Sequence, residues 1–133
     1  MASLEQRNHA RNFLKKSQEY LASAEDNLDL HRYTVAAGDA IHAGISAKDA
    51  IVVTLTGATT KGRDHAAAAK ELARALGPRT DATVAVRALR ELISAKADVE
   101  YCTELVDAAK ATVLVKRARA LADLAVQIVK LGR

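Results

Sequence analysis

The sequence predicts an all-α protein: an antiparallel bundle of four long helices plus one short helix. Three observations lead there. Apolar residues recur at steps of three and four along most of the chain, with no strand-like alternation of any length. Abundant Ala, Leu and Val are joined to Lys, Arg and Glu, with one Phe, three Tyr and no Trp, a mixture typical of helices whose backbones approach closely. Six Gly and one Pro leave few places for turns.

The first helix is expected over residues 3–30. Ala10, Leu14, Ser17, Leu21, Ala24 and Leu28 follow alternating four- and three-residue steps there, and Phe13 and Tyr20 widen the stripe. On the same helix Arg7, Arg11 and Lys15 stand one turn apart, a ridge suited either to phosphates or to plain solvation. A turn at 29–32 leads into a second helix, Tyr33–Thr56, where Ala36, Ala37, Gly38, Ala40, Ala43, Gly44, Ala47 and Ala50 keep the surface low enough for neighbours to pack close. This is expected to be the central helix.

Gly57 reads as its C-terminal stop, and Asp64 as the N-cap of a short helix, His65–Leu76. Gly77, Pro78, Thr80 and Asp81 then break the chain. The next helix has the stripe Ala82, Ala85, Val86, Leu89, Leu92 and Ile93, which Lys96 continues; a cation in that register is expected to snorkel or meet a carboxylate. The pattern loosens over 97–102. Thr103 is expected to cap a final helix with core positions Val106, Leu114, Ala118, Leu121, Ala125 and Ile128, and with Lys116, Arg119, Asp123, Gln127 and Lys130 on its wet side. At this length one domain over 1–133 is expected, with a core that needs no metal or disulfide.

The formal net charge of +4 favours an acidic partner or a phosphate backbone without requiring one. Cys102 is the only cysteine, which excludes an intramolecular disulfide and a thiolate zinc site and fits a reducing compartment. No apolar run approaches the length of a bilayer span and the N-terminus has no apolar signal core, so a cytoplasmic protein without membrane contact is expected.

Within the second helix, Asp39, His42, Ser46 and Asp49 follow steps of three, four and three and so share one face. Lys48 is the one long charged side chain of that segment and lies off the row. The row is therefore expected to be enclosed, and it is the first candidate for a functional surface. The second candidate is Lys61, Gly62, Arg63, Asp64 and His65 at the mouth of the short helix, where backbone N–H groups and two cations suit a phosphate or carboxylate. It lacks the spaced glycines and the Lys-Ser/Thr ending of a phosphate-binding loop. If the loop folds back, Arg63 or His65 is expected to pair with Asp49, either to tie the loop down or to orient an imidazole for proton transfer. No His/Glu pair has metal-ligand spacing, and neither a metal nor a cofactor is expected.

The long helix beginning near Arg11, the Ala-rich helix ending in Asp49, Ala50 and Ile51, the Gly62-Arg63-Asp64-His65 turn followed by Ala69 and Leu72, and the segment from Lys96 to Tyr101 together resemble the HEPN family of small helical bundles. The order and spacing of these features cover nearly the whole chain. The resemblance implies an all-helical bundle, often dimeric, of toxin–antitoxin, antiviral and RNA-processing systems, many of whose members cut RNA without a metal. The family's ribonuclease signature is an Arg separated from a following His by four to six intervening residues. None of His9, His31, His42 and His65 has an Arg at that offset, so the family's nuclease residues do not carry over.

The leading expectation is accordingly a non-catalytic or weakly catalytic HEPN-like homodimer that binds a protein partner, such as an antitoxin or nucleotidyltransferase, or nucleic acid. The alternative is a metal-independent ribonuclease with His65 or His42 as general base and Arg63 or Lys96 stabilising the phosphorane. A second alternative is a nucleotide-binding module built on 61–65. Asp39, Ser46, Asp49, Lys61, Gly62 and Tyr101 complete the candidate ligand-binding set.

Overall fold

The structure is a computed structural model that describes residues 3–58 and 65–133, excluding the side chain of His65. Among the described residues it consists of five α-helices and no strand: α1 (Leu4–Asp29), α2 (Tyr33–Thr56), α3 (His65–Leu76), α4 (Ala82–Tyr101) and α5 (Ala108–Leu131). Among them no helix is long and apolar enough to cross a membrane.

α1 starts with a reciprocal cap. The Ser3 hydroxyl accepts the Gln6 N–H at 3.1 Å, and Gln6 Oε1 accepts the Ser3 N–H at 2.8 Å, so two of the unpaired donors of the first turn are satisfied together. Its far end reverses through His31, a non-glycine residue at φ 62°. α2 ends where the sequence expects, at Gly57, whose φ of 87° is open to glycine at no steric cost and whose N–H returns to the Val53 carbonyl.

Cross-links fix how α1 lies on α2. The Gln6 amide donates to the Gly57 carbonyl at 3.1 Å, the Ser17 hydroxyl to the Ala43 carbonyl at 2.7 Å, and the Ser23 hydroxyl to Asp39 at 2.6 Å. Rising numbers on one helix meet falling numbers on the other, so this pair runs in opposite directions. α2 also packs against α3, α4 and α5. Ala36, Ala37, Ala40, Ala43, Ala47 and Ala50 are fully enclosed, which is how a helix with small residues on nearly every side becomes the centre. At Gly44 there is no room even for a methyl group, because Leu92 of α4 and Leu121 of α5 close over its Cα. Leu72, Leu89, Leu92, Leu121 and Ile128 are fully buried around this axis, each contributing roughly 1.5–3 kcal/mol of hydrophobic stabilisation.

Three local expectations need correction. Tyr20, placed on the core stripe by periodicity, is exposed. The loosened pattern at 97–102 is still helical as far as Tyr101, with Val99 buried beneath it. The final helix is capped not by Thr103 but by Asp107, whose carboxylate accepts the Lys110 N–H at 2.8 Å. The chain between α4 and α5 is held off helix because Cys102 is extended and the Val106 N–H donates instead to the Thr34 hydroxyl at 3.0 Å.

Candidate functional site

The polar row of α2 is half-buried along its whole length: Asp39, His42, Ser46 and Asp49 are neither core nor surface. Each end is spoken for by a different neighbour. Asp39 accepts from the Ser23 hydroxyl at 2.6 Å and from the Asn27 amide at 3.3 Å, while that amide also donates to the Ser23 carbonyl at 2.9 Å. One turn of α1 thus presents two donors to one carboxylate, which offsets the cost of its partial desolvation.

His42 lies between α1 and α4. Its ring stacks on Tyr20 with centroids 5.1 Å apart, and its Nε2 is 3.4 Å from Oε1 of Glu100. The other oxygen of Glu100 is 3.6 Å from Lys96 Nζ, one turn back on α4. The cation that continued the apolar stripe of α4 therefore meets a carboxylate, and His42 and Lys96 share it.

At the lower end of the row Asp49 pairs with its sequence neighbour Lys48 at 2.5 Å, and Lys48 Nζ reaches Glu71 of α3 at 2.9 Å. Lys48 is only 5% exposed. Burial opposes its charge, but the hydrogen bonds and negative charges of Asp49 and Glu71 outweigh it, and its pKa is raised above the ordinary lysine value. The three groups are not each other's only partners.

The structure thus brings His42 and Lys96 together and separates both from Asp49, which belongs to the Lys48–Glu71 cluster. Lys61, Gly62, Arg63 and Asp64, and the side chain of His65, lie outside the described residues, and with them the expected Asp49 pairing and the anion-binding turn. Tyr101 ends α4 at 77% exposure. Arg7, Arg11 and Lys15 are exposed on α1, and among the described residues no carboxylate pairs with them.

Sequence reasoning missed Lys48, Glu71, Glu100 and Tyr20. Two signals were present. Glu100 follows Lys96 at the i, i+4 spacing of helix ion pairs. A helix apolar on nearly all sides leaves its one lysine no route to water, so Lys48 needed a buried carboxylate. That Glu71 supplies it depends on how α3 docks, which periodicity does not encode.

No family model matches this sequence, and no curated protein matches it either.

Proposed function

We propose that the chain is a HEPN-like antiparallel bundle, cytoplasmic and homodimeric, that binds nucleic acid without cutting it, as one component of a paired system with a protein partner. The observation that carries this reading is the α1 ridge: Arg7, Arg11 and Lys15 stand exposed at one-turn intervals and, among the described residues, none is neutralised by a carboxylate. Cations in that arrangement are spaced along a line, as backbone phosphates are, and supply the sequence-independent part of nucleic-acid affinity. The polar row supports binding over chemistry, since Asp39 and His42 already serve contacts between helices. Fluorescence anisotropy with a labelled single-stranded RNA tests the proposal. Binding is expected, to be weakened in Arg7→Glu/Arg11→Glu, with the RNA intact on a gel and indistinguishable from a His65→Ala control. RNA that fails to bind the unaltered protein removes the reading.

One geometry favours ribonuclease activity as a second reading. His42 and Lys96 converge on Glu100, so an imidazole oriented by a carboxylate stands beside a cation that can stabilise a pentavalent phosphorane. RNA turnover that vanishes in both His42→Ala and Lys96→Ala establishes it in place of the first.

A further inference from the structure

A cleft of about 680 Å³ opens between the N-terminal half of α1 and the end of α2, within the range of roughly 300–1,000 Å³ usual for small-molecule sites. Its floor is apolar. Phe13 is half-buried against the core and Val53 is almost wholly enclosed. Its rim is polar and mainly basic: Lys15, Lys16 and His9 stand with the Asn12 amide around the opening, and Glu19 is the one carboxylate among the lining residues. Among the described residues neither lysine forms an ion pair with Glu19 or any other acid. Lys16 instead holds its Nζ 5.8 Å above the centre of the Phe13 ring, the position of a cation–π contact.

We propose that this cleft binds a small organic anion with an apolar body, a fatty-acyl or aromatic carboxylate, with Phe13 and Val53 against the body and Lys15 and Lys16 on the carboxylate. The two halves of the lining select for the two halves of such a ligand. An inorganic phosphate leaves the floor wet, and a neutral hydrocarbon leaves the ammonium groups without a counter-charge. The ring face that Lys16 covers is the surface an apolar chain or ring would take, and the same ammonium would then turn to the carboxylate. The site goes beyond the proposed nucleic-acid contact: it shares Lys15 with the ridge, but Arg7 and Arg11 do not line it, so loss of RNA binding in Arg7→Glu/Arg11→Glu and loss of dye binding in Phe13→Ala tell the two apart.

The test uses the full chain and the dye 8-anilinonaphthalene-1-sulfonate, itself an organic anion on an aromatic body. Its fluorescence should rise saturably with one site per chain, and octanoate or benzoate should displace it. Displacement by octanoate alone identifies an acyl carboxylate, and by benzoate alone an aromatic one. Lys15→Glu/Lys16→Glu should weaken dye binding by roughly tenfold or more, whereas Lys116→Glu/Lys130→Glu, the same charge change on α5, should not. Phe13→Ala should weaken it too; because Phe13 packs on the core, that variant counts only if its circular dichroism is unchanged. Equal effects of the two double-glutamate variants, displacement by octanol as strong as by octanoate, or binding that does not saturate overturns the proposal.

Discussion

Nζ of Lys48 lies 2.9 Å from Oε1 of Glu71, so a charge of the central helix is met by a carboxylate of the short one. Both side chains are largely removed from water, and Asp49 completes the cluster on the α2 side. Taking away the lysine withdraws its charge from two largely desolvated carboxylates at once, a larger effect than the net worth of either pair. Lys48→Met is expected to cost about 3 kcal/mol, read from urea midpoints. Glu71→Gln should cost less, because Asp49 still faces the lysine.

The same cluster sets a pH dependence at the alkaline end. A raised folded pKa means that the charged lysine is favoured by folding, so its stabilisation is fully present below the ordinary value of 10.5 and is lost as pH rises through the higher folded value. Unfolding midpoints of the unaltered protein should fall above that point more steeply than those of Lys48→Met.

Two glycines of α2 should respond to alanine with opposite signs. At Gly38 the nearest neighbour of an added methyl is Val99 at 3.9 Å, ordinary contact, and the gain in helix propensity of about 1 kcal/mol should appear as added stability. At Gly44 the methyl meets Leu92, fully buried and unable to swing away. Gly44→Ala is expected to be destabilising by about 1–2 kcal/mol net. Thermal unfolding of the two variants side by side decides it.

Ser17 is the one fully buried hydroxyl of α1 and donates to the Ala43 carbonyl at 2.7 Å. Ser17→Ala should cost about 1 kcal/mol. A double-mutant cycle with Gln6→Ala, three turns away, should be additive.

Should the α1 ridge bind RNA, the slope of log affinity against log salt should shrink by about 0.7 for each of Arg7 and Arg11 neutralised. A slope that stays constant while affinity falls would place the phosphates elsewhere.

Homodimerisation is expected from the apolar residues left bare near the Thr34–Val106 contact: Leu30, Val35, Tyr101 and Leu105, the last 86% exposed. Sedimentation at micromolar concentration should give twice the 14.2 kDa chain mass, and Leu105→Glu with Tyr101→Glu should return it to one.

Helix faces were legible in the sequence because period 3.6 is a property of one helix at a time. α2 and α3 begin and end where Gly57, the Ala-rich run and the Gly77–Pro78 break place them, and the core positions of α5 from Leu114 to Ile128 are all buried. What remained hidden depends on how helices lie against one another. Thr103 and Asp107 can both cap a helix by residue type, and the choice of Asp107 goes with a contact from another helix, the Thr34 hydroxyl taking the Val106 N–H. The row on α2 was visible as a row, but its partners Ser23, Asn27, Tyr20 and Glu100 come from α1 and α4, and spacing along one helix gives no distance to the next.

The enclosure of α2 has a consequence for the order in which the chain is made. Its covering layers are delivered in sequence, α1 before it and α3 and α4 after it, while α5 contributes Leu121 over Gly44 only when synthesis has passed that residue. Until then one side of the most apolar helix has nothing to shield it. On a ribosome adding about 5–20 residues per second, that interval lasts seconds, and a nascent chain stalled before Ala108 should be held by chaperones where the finished chain is released.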